Sequence, residues 1–172
     1  MTLPLEGITV VAIEQAVAAP LATRSLADLG ARVIKVERID GGDLARGYDG
    51  VVHGTGAHFV WLNRGKESLA VDLKSEQGRG IVRHLVDSAD VFLQNLAPGA
   101  ADRLGFGADE LRCARDELIV VNMSGFGRGG PMEQRKAYDM LIQAEAGLIS
   151  ITGTPDQPAK TGIPTRFTDN EG

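Results

Sequence analysis

The chain has 172 residues, 43% of them hydrophobic and 24% charged, an ordinary balance for one soluble globular domain with a core of its own. A formal net charge of −5 disfavours a nucleic-acid partner, which calls for Lys and Arg gathered on one face, so any anionic ligand has to be held by a few placed cations. No apolar run approaches the ~18 residues of a membrane span, and Met1 to Glu6 lacks the cationic and apolar regions of a secretory signal, so no membrane partner and a cytoplasmic location are expected.

Apolar β-branched runs alternate with helical patterns along the chain, which is the signature of βαβ units. Strands are expected at 8–13, 32–37, 68–73, 91–95 and 118–123. Between the first two, Ala22, Leu26 and Leu29 line one helical face, with Gly30 placed to end the helix. Ser75 is suited to cap the next helix, whose inner stripe is Ile81, Val82, Leu85 and Val86. The expected fold class is α/β, a doubly wound, Rossmann-like parallel sheet with flanking helices. A glycine-rich segment at 41–56 interrupts the scheme and reads as an extended surface excursion, either a functional loop or a linker. Cys113, the single cysteine, has no disulfide partner and no metal-binding companion, and is expected to be a small core residue.

Such a sheet presents ligands to the carboxyl ends of its strands. The first loop there, Glu14-Gln15-Ala16-Val17-Ala18-Ala19-Pro20, lacks the glycines that let a dinucleotide pyrophosphate approach a helix start, so NAD is not expected although Glu37 imitates an acidic ribose ligand. The helix start after Pro20 could still attract an anion through its amides. Arg38, after the second strand, fits either a ligand contact or a solvated arginine paired with Asp40 or Asp43. Small residues at Gly125 to Pro131 suit the approach of backbone amides to a thioester or carboxylate, and equally a tight loop without ligand. Beyond them, Lys136, Tyr138 and Asp139 open a helix whose Leu141, Ile142 and Gly147 to Ile151 are expected to point inward.

Several stretches occur in the order found in one family: Gly41-Gly42-Asp43; Asn63-Arg64-Gly65-Lys66-Glu67-Ser68 running into Val71-Asp72-Leu73-Lys74; Pro98-Gly99 with Arg103-Leu104-Gly105-Phe106-Gly107; Ser124-Gly125-Phe126-Gly127-Arg128-Gly129-Gly130-Pro131; and Ala137-Tyr138-Asp139-Met140-Leu141-Ile142-Gln143-Ala144. From Leu3 to about Pro164 the chain resembles the amino-terminal portion of a class III coenzyme A transferase, the CaiB/BaiF or formyl-CoA transferase-like family. The resemblance implies a CoA-binding α/β domain over 1–164, followed by a divergent tail over 165–172. It also implies a family second domain beyond this chain, and a homodimer interlocked as rings in the full-length family.

For the site, the resemblance implies that Arg38 meets the CoA phosphates, a role suited to a planar guanidinium fork. Asn63, Lys66, Asn95, Leu96 and Arg103 would line the adenine, ribose and pantetheine path, while Lys136 and Asp139 fall on the matched helix start. Ala97 departs from the family's usual arginine. Coenzyme A would be the acyl carrier, with no metal, and the partners an acyl-CoA and a small carboxylic acid. The segments 14–20, 46–49 and 58–63 look most like branches serving five-carbon dicarboxylates. The implied mechanism uses an aspartate that attacks the acyl-CoA carbonyl and becomes an aspartyl-CoA thioester. After Lys160-Thr161-Gly162-Ile163-Pro164 the aspartate's position holds Phe167, which leaves Asp169 as the candidate nucleophile and little or no transfer activity as the expectation for this chain. A catalytically inert CoA-binding or assembly fragment is the alternative. A racemase is a third reading, disfavoured because Tyr138 stands where that branch has a histidine base, and an unperturbed phenol near pKa 10 is a poor base at neutral pH. His53, His58 and His84 match no family catalytic position.

Overall fold

The computed structural model describes residues 2–151 and the backbone of 153–154 and 157–158. The chain divides into two compact units, the boundary along the sequence falling between Met123 and Ser124.

The first unit is built on five parallel strands, β1 (Thr9–Ile13), β2 (Arg32–Glu37), β3 (Lys66–Ala70), β4 (Val91–Gln94) and β5 (Ile119–Asn122), in the order β3-β2-β1-β4-β5. Strands are added first on one side of β1 and then on the other, which leaves β1 central, and Val10, Val11 and Ala12 are wholly buried. Strand period then sorts the core onto two faces. Val11, Ile13, Ile34, Val36 and Phe92 pack with Val82 and Val86 of α3 (Glu76–Asp87) and with Leu111 of α5 (Ala108–Ala114), as Phe106 stacks on Phe92 with ring centroids 5.8 Å apart. Val10 and Val33 face the other way with Leu26 of α1 (Ala18–Asp28), and Ala12 and Leu93 meet Ala19 there. This is the expected doubly wound α/β sheet.

Local signals explain the helix limits. Ser75 Oγ accepts from the Gly78 amide at 3.0 Å and caps α3. Helix α1 ends before Gly30, as the sequence indicated. Helix α2 (Ala57–Asn63) starts where Asp49 Oδ1 accepts from the Ala57 amide at 2.9 Å, and α4 (Ala100–Arg103) is a single turn after Gly99.

Four expectations are corrected. The third strand lies at 66–70 rather than 68–73, because it is a half-exposed edge strand without an apolar run, whereas Val71 packs into the core just past its end. Leu29 and Ile81 are 45% exposed, so the inner stripes of α1 and α3 are narrower than their periodicity suggested. Cys113 is exposed: α5 buries Leu111, and a position two residues further on turns to the opposite side. The segment 41–56 is more than a surface excursion, since Asp43 and Ala45, around a 3-10 turn at Leu44–Gly47, are buried.

In the second unit, α6 (Asp139–Glu145) is followed by a 3-10 turn at Leu148–Ile151, and Gly153–Thr154 pairs antiparallel with Gln157–Pro158. Contrary to expectation, Leu141 is 56% and Ile151 79% exposed, while Gln143 is the buried residue of α6. Within α6 the inward position is Gln143, two residues from Leu141 and so on the opposite side, and a turn at Ala146, with Gly147 at φ 74°, ends the helix before Leu148–Ile151. Among the described residues no helix is long and apolar enough to cross a membrane, and no group of three or more His, Cys, Asp or Glu is arranged to hold a metal ion.

Candidate active site

The carboxyl end of β1 leads into a buried charge cluster. Glu14 Oε1 accepts from Lys66 Nζ at 2.7 Å and lies 3.4 Å from Lys35 Nζ, while Thr23 Oγ1 donates to Oε2 at 2.7 Å. Lys35, a β2 residue 1% exposed, pairs in turn with Asp43 Oδ2 at 2.6 Å. A buried ammonium is tolerated only when paired and hydrogen-bonded. Burial pushes the Lys66 ammonium below its ordinary pKa, and Glu14 opposes the shift.

Glu37, at the carboxyl end of β2, adds a second buried carboxylate. Arg46 donates to it through Nε and Nη2, both at 2.8 Å, Ser68 Oγ donates at 2.7 Å, and the Asp43 amide at 2.9 Å. Burial alone would raise its pKa, but Arg46, Ser68 and the Asp43 amide together hold it at about 2. The Arg46 guanidinium also sits 3.7 Å over the Phe59 ring. Glu14, Glu37 and Asp43 against Lys35, Lys66 and Arg46 make a cluster that is neutral as a whole.

Beside this cluster a cavity of about 530 Å³ opens at the carboxyl ends of β1 and β2 and against the segments that follow β3 and β4. Arg38 and Lys74 bring cations to its wall, Asp40 and Asp72 stand among them, the paired carboxylates Glu14, Glu37 and Asp43 form its floor, and Ile39, Leu73, Leu96 and Leu104 bring apolar surface. Apolar walls with a few placed charges suit an extended small-molecule ligand, and Arg38 and Lys74 are the lining groups able to meet an anionic end of it.

The sequence-named residues separate accordingly. Arg38 and Leu96 line the cavity. Arg38 pairs with neither Asp40 nor Asp43; its Nε and Nη2 reach the Gly42 carbonyl at 3.3 and 3.2 Å. Asn63 accepts from Lys66 Nζ at 3.0 Å, and Lys66 gives another proton to the Pro20 carbonyl at 2.9 Å, so the three Lys66 protons all point into the protein. Asn95 clasps Gln15, accepting from its amide at 2.8 Å and donating to its carbonyl at 2.9 Å. Arg103 is exposed on α4. In the second unit Lys136 is exposed, and Asp139 Oδ2 accepts from Gln143 Nε2 at 2.6 Å. Asp169, Phe167 and the Lys160 to Pro164 motif lie outside the described residues. Sequence reasoning missed Lys74, which the motif Val71-Asp72-Leu73-Lys74 already contained, and the buried trio Glu14, Lys35 and Asp43, for which a lysine inside an otherwise apolar strand was the available signal.

Residues 5–169 match the model of the family described as CoA-transferase family III. The chain is 41% identical over 155 residues to the acetyl-CoA:oxalate CoA-transferase of Acetobacter aceti, an alignment that covers 90% of this chain and 40% of that protein. It is 38% identical over 162 residues to the mouse succinyl-CoA:glutarate CoA-transferase, covering 93% of this chain and 37% of that one. The crystal structure of a CaiB/BaiF family protein from Brucella suis superposes with a TM-score of 0.86 at 38% identity, over 95% of this chain and 44% of the other. The chain thus spans about two fifths of the length of the curated relatives it matches.

Proposed function

The chain belongs to CoA-transferase family III, and on that ground we propose that it binds coenzyme A thioesters and serves CoA transfer from an acyl-CoA to a small carboxylic acid. The observation that carries this reading is the cavity at the carboxyl edge of the sheet, where Arg38 and Lys74 offer charge to phosphates and Leu96 and Leu104 offer apolar surface. Asn63, Lys66 and Asn95 contribute by holding the walls, since their polar atoms are engaged inside the protein. Arg103, Lys136 and Asp139 are proposed as further contacts on the strength of the family motif alone. A dicarboxylate acceptor, five-carbon in the narrower form of the proposal, is supported by the names of the oxalate and glutarate enzymes.

In the proposed chemistry an ionised aspartate attacks the acyl-CoA carbonyl, giving a mixed anhydride and CoA thiolate. The thiolate then attacks the aspartyl carbonyl, releasing the donor acid and leaving an aspartyl-CoA thioester, from which the acceptor acid takes CoA by the same two steps in reverse. Asp169 is proposed as that aspartate, and the catalytic unit as a homodimer in the cytoplasm. The test is a hydroxylamine quench of the protein mixed with succinyl-CoA. A hydroxamate on Asp169 found by peptide mapping, and absent from Asp169→Asn, supports the assignment. CoA binding without any hydroxamate would confine this chain to coenzyme binding.

A further inference from the structure

We propose that Asp43, which borders the ligand cavity with its carboxylate wholly buried and engaged inside the protein, is a positioning residue acting through Arg38; the proposal rests on reading Arg38 as a coenzyme A contact. The peptide unit between Gly42 and Asp43 is held at both ends. Its carbonyl takes Nε and Nη2 of Arg38 at 3.3 and 3.2 Å, and its N–H donates to Glu37 Oε2 at 2.9 Å. Because a peptide is planar, fixing the N–H fixes the direction of the carbonyl. The orientation of the Arg38 guanidinium is therefore set from the buried side of the loop.

Asp43 is what anchors that peptide. Its side chain is fully buried, with Oδ2 on Lys35 Nζ at 2.6 Å and Oδ1 accepting from the amides of Ala16 and Ala45, both at 2.9 Å. One carboxylate thus joins β2, the loop that follows it and the exit of β1. Two backbone conformations depend on the anchorage. Ala16 has φ 64°, a left-handed value that a residue with a Cβ keeps only where its surroundings fix it, and its amide is the one bonded to Asp43. Gly42 has φ 65°, and a Cβ there would lie 2.6 Å from Glu37 Oε2 and 2.8 Å from Arg46 Nε. The short Gly-Gly-Asp run is accordingly a hinge-free support: glycine where the backbone meets the carboxylate of Glu37, and an acid where the loop enters the core.

The experiment is a double-mutant cycle on CoA affinity, read by calorimetry, with circular dichroism and thermal melting confirming that each variant is folded. Asp43→Ala is expected to weaken CoA binding about tenfold in the parent and no more than about twofold in the Arg38→Ala background, since an effect passed through Arg38 vanishes with it. An equal loss in both backgrounds would overturn the proposal in favour of a general structural role. A silent Arg38→Ala variant would remove the reading of Arg38 and the role of Asp43 with it, whereas a sensitive Arg38→Ala variant combined with a silent Asp43→Ala variant would overturn the role of Asp43 alone. The charge-neutral pair Lys35→Met with Asp43→Leu guards against misfolding from an unpaired lysine and is expected to show the same dependence on Arg38. Failure of both forms to fold would assign Asp43 to stability and overturn the positioning role.

Discussion

Glu37 and Arg46 meet as a two-pronged pair, Nε to Oε2 and Nη2 to Oε1, each at 2.8 Å, with the carboxylate buried and the guanidinium partly open to solvent. With a folded pKa of about 2 against an ordinary 4.5, the ionised Glu37 favours the folded state above about pH 4.5, and that contribution is lost as pH falls towards 2. Glu37→Gln is therefore expected to be less stable than the parent by roughly 2–3 kcal/mol at pH 6, with the gap narrowing between pH 5 and pH 3. Urea unfolding across that range measures it; a gap independent of pH would contradict the assignment.

Glu14 supplies one oxygen to two buried lysines, Lys66 at 2.7 Å and Lys35 at 3.4 Å. Neutralising it leaves buried positive charge incompletely paired, so Glu14→Gln is expected to lose about 3 kcal/mol at pH 7. A loss below about 1 kcal/mol in urea unfolding would mean that the cluster is solvated in solution.

Much of the first unit was legible in the sequence because burial and β-branching coincide there. Val33, Ile34 and Val36 mark β2 at its true limits, and Ser75 marks the start of α3. The third strand was misplaced because Lys66, Glu67 and Ser68 form an edge strand whose neighbours, not its own composition, recruit it; the apolar Val71 and Leu73 just beyond drew the assignment forward. The site was legible as single residues and not as a network. Arg38 and Leu96, named from motif positions, line the cavity, whereas the pairing of Lys35 with Asp43 is fixed by a loop folding back on the sheet, which no spacing rule encodes. Lys66 shows the converse: a motif lysine whose protons turn out to face inward.

At the start of α3, Ser75→Ala removes the cap on Gly78 and is expected to cost about 1 kcal/mol. Gly78→Ala is expected to cost more, roughly 1–3 kcal/mol or above, because a Cβ there would lie 2.0 Å from the Asp72 carbonyl oxygen. Thermal melts of the two variants give the order; a Gly78→Ala protein as stable as the parent would show that the backbone turn at Asp72 yields.

Cys113 is exposed on α5, so a thiol reagent is expected to titrate it in the native protein without denaturant. Labelling that waits for unfolding would return it to the core position that the sequence suggested.

If the carboxyl edge of this sheet holds coenzyme A through Arg38, as proposed, calorimetric titration of CoA into the chain and into Arg38→Ala separates the two proteins. Saturable CoA binding is predicted for the parent, weaker by about tenfold to a hundredfold in the variant as a charge-assisted contact of roughly 1.5–3 kcal/mol is removed, with no saturable binding of NADH. Superimposable CoA curves for the two proteins would remove Arg38 from the coenzyme site, and saturable NADH binding would make this a dinucleotide fold instead.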